Sequence, residues 1–167
     1  MNFIIRVSAF LLITVVMMLN AIAINPVLTK ELDRSAYYTA MASNDVVLID
    51  KELKAIQESS IKEKDGFEGA LLMKRAGLAT KVKQKLAFFK EGHQKLESSI
   101  ATNVDNAELH FLRLMIQENA PKVLNYNKDM IKDKKEVLKS YKNLPAEVQK
   151  IITEYSKTSK IITLKDL

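Results

Sequence analysis

The stretch LESSIATNVDNAELHFLRLMIQENAP, residues 96–121, decides the fold of this chain. Its centre is polar, because Asn103, Asp105 and Asn106 separate two apolar segments, and Asx side chains favour turns and helix N-caps. Apolar residues recur at helical spacing on both sides of this turn. The stretch therefore predicts two antiparallel helices, 80–101 and 106–120, that bury their apolar stripes against each other. The stripes comprise Phe89, Leu96 and Ile100 before the turn and Leu109, Leu112, Ile116 and Ala120 after it.

The composition of the chain favours an all-α fold. Gly and Pro are scarce, at 4 and 3 residues, and Trp is absent. Val46 to Ile49 is β-branched enough to pass for a strand, but the apolar pattern continues at helical spacing and no partner strand is predicted. Ser43 or Asn44 is the expected N-cap of the second helix, and Asp65 that of the third. The predicted helices are 28–42, 44–59, 66–78, 80–101, 106–120, 129–143 and 145–157.

The first 23 residues have the pattern of a secretory signal peptide. Arg6 is their one charged side chain, residues 7–19 are almost continuously apolar, and residues 21–23 supply the small residues of a cleavage site. We predict that residues 1–23 form a signal helix that is removed, leaving residues 24–167 as a single helical domain, periplasmic or secreted. The alternative is a retained anchor, since residues 3–24 exceed the roughly 20 needed to span a membrane. The chain has no Cys, which excludes a lipoprotein anchor and disulfides.

The central turn and its flanks resemble the junction between two tetratricopeptide repeats. Ser99-Ile100 matches the end of one helix, residues 104–106 match the turn, and residues 107–110 match the opening of the next helix. Val104, His110 and Leu114 depart from the proline, tryptophan and small residue of that family. The resemblance covers residues 66–120 at most, and it implies antiparallel helical hairpins stacked in an array that binds other proteins.

Residues 106–127, NAELHFLRLMIQENAPKVLNYN, and the helix pair before them are also similar to a group of small secreted helical proteins of Bacteroidetes-type bacteria. This second resemblance implies a fold and a compartment, and it implies no particular activity.

The sequence contains no recognisable catalytic motif. It lacks a cysteine nucleophile and a glycine-rich phosphate loop, so we expect no enzymatic activity and no cofactor. A metal site formed by His93, Glu97 and His110 is the weaker alternative, because two imidazoles and a carboxylate are suitable ligands. The simpler interpretation places His93 on the surface and His110 in an aromatic slot at the edge of the core.

The net charge of +6 raises the question of a polyanionic partner. Lysines cluster at 81–85 and again at 132–142, but no aromatic residues interleave with them as stacking platforms, and Asp129, Asp133 and Glu136 neutralise the second cluster. We therefore expect solvated helix faces and no nucleic-acid binding, with weak attraction to anionic lipid or glycan as the second interpretation. Attachment to a membrane is expected only through the N-terminal segment, if that segment is not cleaved.

Arg113 is the polar residue whose position is most unusual. It lies four residues after Leu109 and three before Ile116, so its stem must run along the apolar face. A buried guanidinium needs partners. We predict that Arg113 is buried and hydrogen-bonded within the protein, using backbone carbonyls near Pro121 and a carboxylate from Glu118 or a neighbouring helix.

Two functions are compatible with these patterns. The first is a non-enzymatic interaction or scaffold protein that binds another protein of the cell envelope. The second is an enzyme or small-ligand binder with a polar pocket at the Pro121 break. A shallow apolar groove would favour the first function, and a deep pocket with convergent polar groups would favour the second. The candidate binding residues of that pocket are Arg113, Gln117, Glu118, Asn125 and Tyr126.

Overall fold

The computed structural model describes residues 31–167, and within that range all regular structure is helical. The expectation of an all-α fold is therefore confirmed for this part of the chain. No helix among residues 31–167 is both long enough and apolar enough to cross a membrane. The predicted signal peptide, the alternative anchor and the start of the first predicted helix lie outside the described residues. The α-helices are α1 Arg34–Ala42, α2 Val46–Gln57, α3 Lys64–Leu78, α4 Val82–Thr102, α5 Ala107–Asn119, α6 Met130–Ser140 and α7 Ala146–Ser156, and short 3-10 turns cover Lys122–Leu124 and Tyr141–Asn143.

Helix α5 is the centre of the fold. All eight residues from 107 to 114 are buried, including the polar side chains of Glu108, His110 and Arg113. The predicted stripe covered one face of this helix, whereas its first two turns are enclosed on every face. Further along, Ile116 and Ala120 are only half-buried. Helices α3 and α6 supply most of the helical packing around α5.

Asn106 begins α5 as the sequence predicts. Its side-chain oxygen accepts hydrogen bonds from the backbone N–H groups of Glu108 and Leu109, both at 3.1 Å. These bonds satisfy two of the donors that a helix N-terminus leaves free. The four-residue turn 103–106 then reverses the chain between α4 and α5.

Three other helices do not begin where the sequence predicted. Each of them follows an acidic N-cap residue, which is Asp33, Asp45 or Glu63. Asp33 accepts from the N–H of Ala36, so α1 begins at Arg34 and residues 31–33 are not helical. Asp45, rather than Ser43 or Asn44, caps α2. Helix α3 begins at Lys64, which places Asp65 inside its first turn rather than at the cap.

Helix α4 packs most extensively against α3, not against α5 as the short turn suggested. Two glycines explain the pairing. A Cβ added to Gly69 would lie 2.6 Å from the carbonyl oxygen of Gly92, and one added to Gly92 would lie 2.5 Å from the carbonyl oxygen of Gly69. The two backbones therefore touch at this crossing, which larger residues would hold apart. Helix α5 in turn packs most extensively against α6.

Buried carboxylates hold neighbouring helices together. Glu108 on α5 accepts hydrogen bonds from Arg34 Nε and Nη2 at 2.9 and 3.0 Å, which ties α1 to the central helix. Glu68 on α3 accepts from Gln57 at 2.7 Å and from Lys95 at 2.6 Å, which links α2, α3 and α4. Both of these buried carboxylates are thus paired, which offsets the cost of removing their charge from water.

Candidate functional site

Arg113 is buried, with 4% of its surface exposed. Its Nε donates to Asp133 Oδ2 at 2.8 Å, its Nη2 donates to Asp133 Oδ1 at 2.6 Å, and its Nη1 donates to Glu97 Oε2 at 2.7 Å. The prediction that Arg113 is buried and hydrogen-bonded within the protein is confirmed. Its charge partners come from the neighbouring helices α6 and α4. Glu118 and the backbone carbonyls near Pro121 form none of these bonds, so the prediction is wrong in those partners.

His110 lies one helical turn before Arg113 and shares its carboxylate. The Nδ1 atom of His110 is 2.7 Å from Asp133 Oδ1, and its Nε2 atom is 2.9 Å from the Val104 carbonyl oxygen. A carbonyl oxygen and an ionised carboxylate only accept hydrogen bonds, so both contacts are satisfied when the ring carries a proton on each nitrogen. Burial lowers the pKa of His110, but the bonds to Asp133 and Val104 outweigh burial and raise it.

The cluster is electrically balanced. Protonated His110 and Arg113 carry two positive charges, and Asp133 and Glu97 carry two negative charges. Burial raises the pKa of Asp133, but the hydrogen bonds from Arg113 and His110 outweigh burial and lower it, so the carboxyl is ionised. A balanced set of charges can be buried at far less cost than an unpaired one.

Tyr126 completes the cluster from the segment that follows Pro121. Its hydroxyl donates to Glu97 Oε1 at 2.6 Å. Burial and this bond to Glu97 both raise the pKa of Tyr126, so the hydroxyl keeps its proton. The ring also packs edge-on against Phe89 and His93, with centroids 5.9 and 5.0 Å apart. Tyr126 therefore joins the charged cluster to the exposed part of α4.

The side-chain nitrogens of the cluster are all hydrogen-bonded. Both ring nitrogens of His110 are engaged, and each guanidinium nitrogen of Arg113 has a carboxylate partner. A cleft of about 370 Å³ borders Glu97, His110 and Arg113 from the solvent side. A ligand that bound His110 or Arg113 through this cleft would compete with the bonds that these side chains already make. The arrangement is suited to holding α4, α5 and α6 together.

The structure separates the five candidate binding residues. Only Arg113 and Tyr126 meet, through their shared partner Glu97. Glu118 accepts from Tyr155 and Ser159, both at 2.7 Å, and so fastens the C-terminal segment to α5. Asn125 is exposed, and its φ of 49° forms the left-handed end of the turn after Pro121. Within residues 31–167 these five side chains therefore do not form one connected hydrogen-bonded cluster.

Gln117 is the exception to the good pairing of buried polar groups. Its side chain is buried, and neither carboxamide atom has a hydrogen-bond partner among the described residues. An unmade hydrogen bond of this kind costs about 1–3 kcal/mol per group. No contact of the described chain accounts for this position.

The alternative metal site is not assembled. Glu97 accepts from Arg113 and Tyr126, His110 is bonded at both ring nitrogens, and His93 stacks on Phe89 at 6.0 Å. Within residues 31–167, no group of three or more His, Asp or Glu side chains is placed to hold a metal ion.

Sequence reasoning missed the role of Asp133, which it assigned to the neutralisation of surface lysines. Asp133 has no exposed surface. The available signal was its spacing, because it lies three residues after Met130 and four before the buried Val137. A carboxylate on the apolar face of a helix must have a buried cation as its partner.

A larger groove of about 970 Å³ lies between α1 and α7. Tyr38 is buried, and Met115, Ile151 and Tyr155 are half-buried, so these side chains form its floor. Exposed polar residues form its two edges. These edge residues are Ser35, Thr39, Glu147, Lys150 and Glu154. The sequence pattern did not indicate that a groove would remain between α1 and α7.

No known protein family, curated protein or solved structure matches this chain. What the protein binds must be inferred from the surfaces and groups that its fold leaves accessible.

Proposed function

We propose that this protein is a non-enzymatic interaction protein of the cell envelope, secreted or periplasmic, which binds an amphipathic helix of another protein in the groove between α1 and α7. The observation that supports this proposal most strongly is the groove of about 970 Å³ with an apolar floor and polar edges. Apolar surface rimmed by polar residues is typical of protein interaction sites.

The dimensions of the groove suit a short helix. Helices α1 and α7 contain 9 and 11 residues, which correspond to about 14–17 Å at 1.5 Å per residue. A partner helix of about three turns would match this length. Such a helix would place apolar side chains at i, i+3 or i+4, and i+7 over Tyr38, Met115 and Ile151.

We also propose that the chain is a degenerate tetratricopeptide-like array whose residues 1–23 act as a signal peptide. The packing preferences support the first part, since α3 pairs mainly with α4 and α5 mainly with α6, as consecutive hairpins would. The second part rests on the sequence pattern alone. N-terminal sequencing of the native protein should find Ile24 as the first residue, whereas an intact Met1 in a membrane fraction would establish the anchor.

The alternative function, a ligand site or enzyme around Arg113 and Tyr126, has less support. Its central guanidinium is already paired with Asp133 and Glu97, and Asn125 lies on the surface. A ligand site requires polar groups that remain free to bind.

The groove is tested with one substitution and a matched control. Ile151→Glu places a charge on the floor of the groove, and Ile131→Glu makes the same change on α6, where the side chain is 60% exposed. The tagged wild-type chain and both variants are used to capture proteins from the native envelope, which are identified by mass spectrometry. We expect a partner that binds the wild-type chain and Ile131→Glu but not Ile151→Glu. Equal capture by all three chains, or by none, would contradict the proposal.

A further inference from the structure

The tip of the α3–α4 hairpin carries apolar side chains that no residue between 31 and 167 covers. All residues from 80 to 87 are exposed. Val82 and Leu86 are 80% and 50% exposed and lie on the same face of α4 as Phe89, at i, i+4 and i+7. An apolar stripe at helical spacing normally faces a core, so one that faces solvent over two turns marks a contact surface.

The segment after Pro121 extends this apolar surface. Tyr126 contacts Phe89, with ring centroids 5.9 Å apart, and thereby brings the segment beside α4. Within it, Val123 is 88% exposed and Leu124 is 41% exposed. We call residues 79–90 and 121–128 together the basic tip.

The basic tip contains six lysines and no acidic residue. None of these lysines forms an ion pair with another described residue. The lysines of α6 differ, since Lys134 pairs with Asp166 at 2.8 Å and Lys139 with Glu136 at 3.5 Å. The described part of the chain therefore leaves the positive charge of the basic tip without ion-pair partners. Its lysines are Lys81, Lys83, Lys85, Lys90, Lys122 and Lys128.

We propose that the basic tip docks on an anionic membrane surface. Val82 and Leu86 would enter the boundary between headgroups and acyl chains, and the surrounding lysines would remain among the anionic headgroups. Long lysine stems permit this arrangement, because they lie along apolar surface while the ammonium group stays in the polar layer. The groove between α1 and α7 belongs to other helices and is free to hold a protein partner at the same time.

Two features favour a membrane over other polyanions. The tip is the end of a helical hairpin, whereas a peptide partner binds in a concave groove such as the one between α1 and α7. A single-stranded nucleic acid requires exposed aromatic platforms, and the uncovered side chains of the tip are Val and Leu.

The chain contains no tryptophan, so a single introduced Trp reports on its own surroundings. The proposal is tested in this way in the full chain. Leu86→Trp places one Trp on the tip, and Val47→Trp places one on α2 at a site that is 76% exposed. Any attachment through residues 1–23 is common to both variants. Each protein is mixed with phosphatidylcholine vesicles with or without phosphatidylglycerol, and the Trp emission and its quenching by brominated lipid are recorded.

We expect the Trp emission of Leu86→Trp to shift to shorter wavelength and to be quenched when phosphatidylglycerol is present. The emission of Val47→Trp should not change with either kind of vesicle. An unchanged Leu86→Trp emission would overturn the proposal, as would equal shifts in the two variants or in the two kinds of vesicle. A larger shift with polyglutamate than with vesicles would also overturn it and would indicate an acidic polypeptide as the partner.

The role of the lysines is tested with two triple variants that remove the same net charge. In the Leu86→Trp chain, Lys81→Gln, Lys83→Gln and Lys85→Gln change the tip, and Lys132→Gln, Lys135→Gln and Lys142→Gln change the α6 region. Each lysine near an anionic surface contributes a factor of about five, so the tip variant should bind on the order of a hundredfold more weakly. The α6 variant should lose much less affinity. Equal losses would mean that net charge, not the tip, attracts the protein to lipid.

Discussion

The two ends of α4 have similar apolar spacing but opposite surroundings. At the C-terminal end, Leu96 and Ile100 are buried, and Glu97 pairs with Arg113 in a balanced set of charges. At the N-terminal end, Val82 and Leu86 are exposed among lysines that form no ion pair within residues 31–167. The periodicity of one helix therefore fixes a face, and the neighbouring helices decide whether that face becomes core or contact surface.

This difference changes which residues are functional candidates. The cluster of Arg113, His110 and Asp133 looks like a site when its residues are considered singly, but its hydrogen bonds are made within the protein. The basic tip looks like an ordinary solvated helix until its exposed apolar stripe is considered. Buried pairing indicates a role in stability, and exposed groups without partners indicate a role in binding.

Asp133→Asn should give the largest effect on stability. The substitution keeps the shape of the side chain but leaves Arg113 and His110 without their shared anion, and removal of one partner from a buried ion pair costs about 3–5 kcal/mol. The free energy of unfolding, measured with urea, should fall by that amount. The matched control is Asp129→Asn at the N-cap of the same helix. The Asp129 side chain makes no capping hydrogen bond, so this substitution should change the free energy of unfolding little. Similar losses in both would show that the cluster does not hold the helices together.

Gly92→Ala should have the next largest effect. The new methyl group would meet the backbone of Gly69 and Met73, so α3 and α4 must move apart, and overpacking of this kind typically costs about 1–3 kcal/mol. Gly77→Ala is the matched control, since a Cβ there meets nothing within 4 Å. It should leave stability unchanged or raise it by up to about 1 kcal/mol. A stable Gly92→Ala protein would contradict the close crossing of the two backbones.

The pH dependence of unfolding should show a smaller effect from His110. Because the pKa of His110 is raised in the folded protein, its stabilisation is complete below the unfolded value of about 6.5 and is lost as the pH rises through the folded value. The lowered pKa of Asp133 acts in the opposite direction, so its stabilisation is present above about pH 4 and is lost as the pH falls through the folded value.

His110→Gln should therefore remove the decline in stability that begins above about pH 6.5. The chain has two histidines, and His93→Gln identifies which one causes the decline. A decline that persists in His110→Gln would mean that His110 is not protonated in the folded protein.

Leu86→Gln should have the smallest effect on stability. Leu86 is 50% exposed at the basic tip, and surface substitutions of this kind usually change the free energy of unfolding by less than about 0.5 kcal/mol. Leu96→Gln, on the buried end of the same helix, is the comparison and should cost several times more. A large loss in Leu86→Gln would show that the tip is covered in solution and would remove the contrast between the two ends.

Local signals in the sequence predicted the helices and the central turn, because apolar spacing and the Asx residue at 106 act over a few residues. The burial of Arg113 was predictable for the same reason. Its main partner was not, since Asp133 lies 20 residues further along the chain on another helix. That α4 packs more extensively against α3 than against α5 was not predicted, because the close crossing depends on two glycines that meet only after the hairpin closes. The groove between α1 and α7 depends on the distance between two helices that are far apart in sequence. A local sequence pattern does not predict that distance.

The central claim is that Arg113 stabilises the fold and that partner binding depends on the groove. The most direct test is partner capture by Arg113→Met, which preserves the packing of the stem and removes the charge, with circular dichroism to confirm that the variant is folded at the temperature used. We predict that Arg113→Met has a lower free energy of unfolding, because Asp133 and Glu97 lose their shared cation, and that it captures the same envelope partner as the wild-type chain, while Ile151→Glu does not. Loss of the partner from folded Arg113→Met, with the partner retained by Ile151→Glu, would contradict this account and would place the binding site at Arg113.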